Sequence, residues 1–501
     1  MTESQLVLGW ELTPTLEPRY WLDINSKSGH QSDLDLVRVP SSSIATHTAI
    51  IAQSGSGKSF FLGRFLEEIL IKTKCRCIVL DPNADFKKVH EVASAQLWED
   101  ASYDILKRKG KLPHESSRDE FNADWSKIPI RIFTAKPPPH SAYGQIQIWW
   151  PSIGIDLISD DVEPMLRSEL YHCHRFVNAI AHLSEIRCAV KKTSCEILNE
   201  SSKFLNLLRT GNSDTLRAAL QADFNVADLT PPKGAKDLDW IYEPYGQLFG
   251  KIMFSQKVNN RIQVAVTAAK YISEPIENFY FSKAREFHAA GIIETSIHNV
   301  REARLKSSAL PLRLEVIDLP SLQDRSARFL AISSILNNEW ERVRREWNIS
   351  LHGNPQDDNR VPTFIIIDEA HNLIPHTPRN NAENSLREQF RRIIAEGRKY
   401  GLFLILVSQR PDKLDPLIVS ECENRALMKL NSSSVLTSAR TLLGLDEIPS
   451  RMIEKCLEFP TGRALLVGPW ANGGSKLLFS AARRTVEGGR DLRPEYWSIP
   501  Y

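Results

Sequence analysis

The chain has 501 residues and a mass of 56.9 kDa, a length that suggests about three structural units at ~150 residues each. Apolar residues make up 42% and charged residues 25%, too apolar and too evenly charged for a disordered chain. Lysine and arginine total 63 against 61 acidic residues, a net charge of +2, which excludes a globally basic nucleic-acid coat protein but not a local basic surface.

The longest apolar runs, such as Phe364–Ile367 and Leu402–Val407, are far shorter than a membrane-crossing helix requires. The first residues carry Glu3 and Glu11 and lack a basic segment before an apolar one, so no signal peptide is expected. Seven cysteines contain no C-x-x-C pair. Neither Cys75 with Cys77 nor Cys173 between two histidines has the usual zinc-ligand spacing. The expectation is reduced thiols in a cytoplasmic protein.

In chain order, residues 1–45 read as a short β segment, with strands at Leu6–Leu12 and Tyr20–Ile24 broken by Pro14 and Pro18. The apolar run Thr48–Ala52 predicts a buried strand. It runs into a glycine-rich turn, and from Ser59 the apolar residues Phe61, Phe65 and Ile69 recur every four positions, as on one helix face. Strands follow at Cys75–Leu80 and Ile128–Phe133, so 46–135 reads as the first part of an α/β core. Pro137, Pro138 and Pro139 mark a break. Residues 136–310 then read as a mostly helical insertion, with helical patterns at 163–198 and 262–288. The α/β texture returns over 311–501: strands at Leu312–Leu319, Thr363–Ile367, Leu402–Val407, Ala426–Leu430 and Ala464–Val467, and helices at Arg325–Trp347 and Leu386–Tyr400.

The turn Ala52-Gln-Ser-Gly-Ser-Gly57-Lys58-Ser59 fits a phosphate-binding loop, with alanine where the pattern's first glycine stands. Glycines let consecutive N–H groups turn towards a triphosphate, and the helix that follows offers its positive end. Gln53, Ser54, Gly55, Ser56, Gly57, Lys58, Ser59 and Phe60 are the candidate nucleotide-binding residues. Lys58 would reach the β- and γ-phosphates of ATP, and Ser59 would hold Mg²⁺. Asp368 and Glu369 end an apolar strand. Asp368 would anchor Mg²⁺, and Glu369 would orient and deprotonate the attacking water. Taken alone, such a pair could instead cap a helix N-terminus. Ser408 and Gln409 end the next strand, where Gln409 could sense the γ-phosphate. His371, Asp81 and Asp85 are open between catalytic and local structural roles.

The ordered set Ser54–Ser59, Val79–Asp85, Glu315–Leu319, Ile366–His371, Glu396–Gly401 and Val407–Pro411 resembles the HerA/FtsK superfamily of ring-forming DNA-pumping ATPases, and HerA in particular. The resemblance covers about 46–135 and 312–485. It implies a RecA-like P-loop core of the ASCE type with a mainly parallel central sheet, a homohexamer around duplex DNA, and ATP bound between subunits. It also implies a neighbour's arginine acting on the transferring phosphoryl group, for which Arg398, Arg410 and Arg425 are the candidates. HerA proteins usually carry a β-barrel of about a hundred residues before the phosphate loop, whereas about 45 residues stand there in this chain.

Residues 375–400 hold six basic against three acidic residues, with Arg387 and Arg391 on one helix face, a candidate DNA-facing patch or simply a solvated amphipathic face. No sequence-reading DNA motif is present. Three functions compete: a DNA translocase or helicase working with a nuclease in repair or antiviral defence, a nucleotide-binding scaffold that activates a partner enzyme, and a conjugation-type motor. The first is the expectation and the second its alternative. The third is disfavoured because such motors carry or join membrane segments.

Overall fold

The computed structural model describes residues 3–16, 36–95, 117–149, 274–289, 293–294, 312–352, 358 and 360–488, together with Leu157, Leu170, Cys173 and Asn206. The helical pattern expected at 163–198 lies outside these residues apart from Leu170 and Cys173, as do the strand expected at Tyr20–Ile24 and the tail after 488. Five cysteines are described, and all are free thiols.

The architecture is one large mixed sheet. Fourteen strands are described: β1 (Gln5–Glu11), β2 (Leu36–Pro40), β3 (Thr48–Ile51), β4 (Arg76–Asp81), β5 (Ile130–Thr134), β6 (Tyr143–Gln145), β7 (Ile148–Trp149), β8 (Ile293–Glu294), β9 (Leu314–Asp318), β10 (Thr363–Ile367), β11 (Leu402–Ser408), β12 (Asn424–Met428), β13 (Arg463–Val467) and β14 (Ser475–Ser480). Twelve of them form a single sheet in the order β2-β1-β14-β13-β12-β3-β11-β10-β4-β9-β5-β6, while β7 and β8 pair apart. From β12 to β6 every pairing is parallel, and from β13 to β2 every pairing is antiparallel. The central order β12-β3-β11-β10-β4 is that of a RecA-like P-loop core, so the fold is the α/β class expected from the sequence. Strands β3, β10 and β11 are buried along their whole length, as parallel strands covered on both faces must be.

The segment expected as a short N-terminal β unit supplies β1 and β2, and these strands extend the same sheet through β14.

The helices are α1 (Lys58–Lys72), α2 (Arg118–Trp125), α3 (Glu274–Ala289), α4 (Arg325–His352), α5 (Asn381–Tyr400), α6 (Pro416–Ser420), α7 (Ser433–Leu442) and α8 (Ser450–Glu454). Helix α1 buries Phe61, Phe65 and Ile69 completely, each worth about 2 kcal/mol of transfer free energy. The sequence reading passed over α2, which begins with a capping box between Ser117 and Glu120. Helix α5 starts earlier than expected because Asn380 caps it, its side chain accepting from the Glu383 N–H at 2.9 Å. It ends at Gly401 in the left-handed region. No helix among the described residues is long and apolar enough to cross a membrane.

Candidate nucleotide site

Parallel strands place their carboxyl ends at one edge of the sheet, where α/β proteins hold ligands. Here that edge brings together the loop after β3, the acids after β10 and the polar residues ending β11. The loop is seated by its neighbours: the Ala52 N–H donates to the Ser408 carbonyl at 3.0 Å and the Gln53 N–H to the Lys429 carbonyl at 3.2 Å. The Gln53 side chain also accepts from the Asn431 N–H. Ala52 is absent from the residues with positive φ, so the missing first glycine imposes no strain.

Gly55 and Gly57 do need glycine, with φ of 74° and 87°. A Cβ at Gly55 would project into open space on the loop's exposed side. One at Gly57 would come 3.0 Å from the Gly462 nitrogen. This second contact is a feature that sequence reasoning missed. The turn before β13 lies on the loop, with the Gly462 N–H donating to the Ser56 carbonyl at 2.8 Å and the Thr461 hydroxyl to the Gly55 carbonyl at 2.9 Å. No local signal announces a contact across 400 residues. Ser56 is buried, Ser54 is exposed, and Phe60 is 43% exposed, so its ring faces outward from α1.

Lys58 is buried with its ammonium 2.7 Å from Asp368 Oδ1 and 2.5 Å from Glu369 Oε1. Burial works against its charge, but the two carboxylates outweigh it and raise the ammonium pKa. Asp368 is 1% exposed, and burial pushes its pKa up against the opposing pull of Lys58. Asn83 Nδ2 donates to its other oxygen at 3.4 Å. Glu369 adopts a left-handed backbone, φ 49° and ψ 46°, unusual for a residue with a side chain and a mark of a strained functional position. Gln409 donates to Glu369 Oε1, and His371 Nδ1 lies 3.4 Å from Oε2 and 3.2 Å from the Ser408 hydroxyl. Burial lowers the His371 pKa and so favours the neutral ring. His371 thus touches the proposed base.

The two aspartates left open by the sequence separate. Asp81 accepts three backbone N–H bonds, from Asn83, Asp85 and Phe86, and shapes its own turn, while burial pushes its pKa up to about 7. Asp85 instead reaches the site, accepting from the Ser59 hydroxyl at 2.8 Å.

The donor set suits a magnesium nucleotide. It has two left-handed glycines, α1 N–H groups that have no partner within the helix, a lysine, a hydroxyl and a buried carboxylate, all at one strand edge. Ser59 and Asp368 are the residues that would hold the metal.

The arginine candidates fall at two ends of the sheet. Arg410 follows β11 at the site edge and is exposed. Arg398 and Arg425 stand at the opposite edge. Arg398 is 62% exposed and pairs with Glu423, while Arg425 donates to the Cys422 carbonyl at 2.9 Å. The candidate basic face of α5 is largely engaged within the subunit. Arg387 and Arg391 both reach Asp415, and Arg392 lies over the Trp340 ring at 4.8 Å.

Comparisons with known proteins fit this division of the site. A family model described as "Helicase HerA, central domain" matches residues 31–148, which contain the phosphate loop and Asp85. The model of the ATPase family associated with various cellular activities matches 330–430, which contains Asp368, Glu369 and Gln409. The chain is 33% identical over 110 residues to the DNA double-strand break repair helicase HerA of Sulfurisphaera tokodaii, 22% of this chain and 21% of that one. The HerA of Sulfolobus acidocaldarius is 28% identical over 160 residues (31% and 29%), and that of Pyrococcus furiosus 24% over 214 (39% and 37%). The chain therefore spans well under half the length of these relatives. Among solved structures, the bacterial conjugative coupling protein TrwB superposes with a TM-score of 0.41 at 12% identity over 90% of both chains. VirB4 of Thermoanaerobacter pseudethanolicus gives 0.39 at 14% over 99% of both. Both scores are too low to add to what the sheet order already shows. With its phosphate loop inside one matched stretch and its acid pair inside the other, the chain has a P-loop core that resembles HerA helicases over its first part and AAA ATPases over its second.

Proposed function

We propose that the chain is an ATP-hydrolysing DNA translocase or helicase of HerA type that assembles as a homohexameric ring in the cytoplasm. It pumps duplex DNA and hands it to a nuclease or other effector in DNA processing or antiviral defence. The observation that carries the hydrolase reading is the convergence of Lys58, Glu369 and Gln409 at one strand edge. The relatives' designation as repair helicases supports the DNA reading.

In this mechanism Lys58 exchanges its carboxylate partners for the β- and γ-phosphates, and the N–H groups of 55–59 wrap the phosphate chain. Mg²⁺ at Ser59 and Asp368 would neutralise charge on the phosphate oxygens. Release from Lys58 frees Glu369 to accept a proton from the attacking water. Gln409 and His371 fix the carboxylate's orientation, one at each oxygen. A neighbouring subunit's arginine completes the charge stabilisation.

The test is the steady-state ATPase rate with and without linear duplex DNA at moderate salt. A several-fold rise with DNA supports a motor. A rate indifferent to DNA moves the assignment to the alternative, a nucleotide-binding scaffold that activates a partner enzyme. No hydrolysis at all overturns the enzyme reading.

A further inference from the structure

After β14 the chain does not leave the core. Residues 481–488 cross α1 and pair with the segment after β4, with Val92 opposite Thr485. This strap is bolted to α1 by two carboxylates that are fully buried. Glu67 accepts from the N–H groups of Arg484 and Thr485, from the Thr485 hydroxyl and from Arg484 Nε, at 2.8 to 3.1 Å. Glu68 accepts from Arg484 Nη2 at 2.6 Å. On its other side the strap holds the turn that carries Asp85. The Gly488 N–H donates to the Asp85 carbonyl at 2.9 Å, and Val486 and Ala93 complete the pairing.

Arg483 is the centre of this joint. It is 3% exposed, and each of its three nitrogens donates to a neutral oxygen: Nε to the Thr485 hydroxyl at 3.0 Å, Nη1 to the Asp85 carbonyl at 3.1 Å and Nη2 to the Val486 carbonyl at 3.1 Å. Its stem lies on Gly63 of α1, where a Cβ would come within 2.4 Å, and its guanidinium lies 4.6 Å from the Phe86 ring centre. Its hydrogen-bond partners are neutral, and the carboxylates of Glu67, Glu487, Asp85 and Asp81 offset part of the cost of burial from further away. Bonds to both the strap and the Asp85 turn let Arg483 fix geometry. What it fixes is the distance between α1, which carries Ser59, and the Asp85 turn, whose carboxylate takes the Ser59 hydroxyl.

We infer that Arg483 is a positioning residue for the metal-binding hydroxyl. Through the Asp85 turn, the strap sets where Ser59 Oγ stands for Mg²⁺. This rests on the ATPase reading, in which Ser59 is a metal ligand.

The experiment is a Mg²⁺ titration of ATP hydrolysis by the full chain, with thermal unfolding measured in parallel. Arg483→Gln should raise the Mg²⁺ concentration for half-maximal activity at least about fivefold, with a smaller change in the rate at saturating Mg²⁺. Asp85→Asn should do the same, and combining the two should add little. Gly488→Ala provides a second approach should Arg483→Gln fail to fold, because a Cβ there would come 2.0 Å from the Ala84 carbonyl and push the strap off the turn. It should shift the Mg²⁺ requirement in the same direction. Folded Arg483→Gln or Gly488→Ala that melts earlier but keeps the original Mg²⁺ requirement overturns the inference. It would make the strap structural only while leaving the ATPase reading intact. An unsubstituted chain without Mg²⁺-dependent hydrolysis would overturn both.

Discussion

The two edges of the central sheet handle charge in opposite ways. At the carboxyl edge, Lys58 is shared between two acids, Glu369 between Lys58, Gln409 and His371, and Asp368 has a raised pKa in a buried place. At the amino edge, several charges stand in fixed ion pairs. Arg76 spans Glu315 at 2.7 Å and Glu339 at 3.1 Å, Arg342 also holds Glu339 at 2.8 Å, and Arg398 meets Glu423. Aromatic rings close that edge, with Trp340 and Trp347 packed edge-on against Tyr400 and Lys399 beside them. One edge is arranged so that partners can exchange, the other so that they do not. Glu369, in the left-handed region, stands at the first edge.

Substitutions at the two edges should therefore be read out by different measurements. The largest effect belongs to the carboxyl edge: Lys58→Ala and Glu369→Gln should each lower ATP turnover at least about 100-fold. Lys58→Ala should also weaken nucleotide binding, whereas Glu369→Gln should retain it. Wild-type hydrolysis by Glu369→Gln would remove Glu369 from the mechanism. Next, Arg76→Met strands Glu315 in a buried place, and should cost roughly 4 kcal/mol in urea unfolding with little change in KM for ATP. A change in KM comparable to the Lys58 variant's would erase the contrast between edges.

His47 gives a pH test of the amino edge. Its Nδ1 accepts from the Leu404 N–H at 3.0 Å, so the ring must be neutral, and burial lowers its pKa to about 4. The unfolded ring titrates near 6.5, so this contribution is complete above pH 6.5 and is lost as pH falls from there towards 4. At pH 5 the loss is about 2 kcal/mol. The stability difference between the chain and His47→Gln should shrink by that amount between pH 7 and pH 5, and a difference flat with pH would contradict it. The smallest effect is expected from Arg398→Gln. The pair with Glu423 is exposed and should be worth under about 1 kcal/mol. If that variant is as stable as the original but hydrolyses ATP much more slowly, Arg398 is the arginine that acts on a neighbour.

Legibility in the sequence followed the range of the forces involved. Strands β3, β10 and β11 are short, mostly apolar runs, and the residues at their ends gather at one edge by the geometry of parallel strands alone, so the convergence of Lys58, Asp368, Glu369 and Gln409 was legible in the sequence. Asp81 and Asp85 could not be told apart, because four residues of one turn separate a carboxylate facing its own backbone from one facing Ser59. The arginines of α5 stayed open between a DNA-facing patch and a solvated amphipathic face, because their partners, Asp415 and Trp340, lie on other elements. Nothing local marks Thr461 or Gly462, whose partners in the phosphate loop are about 400 residues away, or the reach of Arg483 to the Asp85 carbonyl. The helix α2 was missed because its apolar face is only Phe121 and Trp125.

The sheet order also dictates a timetable for synthesis. The strand feeding the phosphate loop pairs at Thr48 with Ile405 on one side and Asn424 on the other. A ribosome must therefore add more than 350 further residues before either neighbour exists, and closing such distant pairs is slow. Until then the loop's glycines are free to sample many shapes. A nascent chain that has already made Lys58 and Ser59 should be blind to nucleotide until both neighbouring strands have left the exit tunnel.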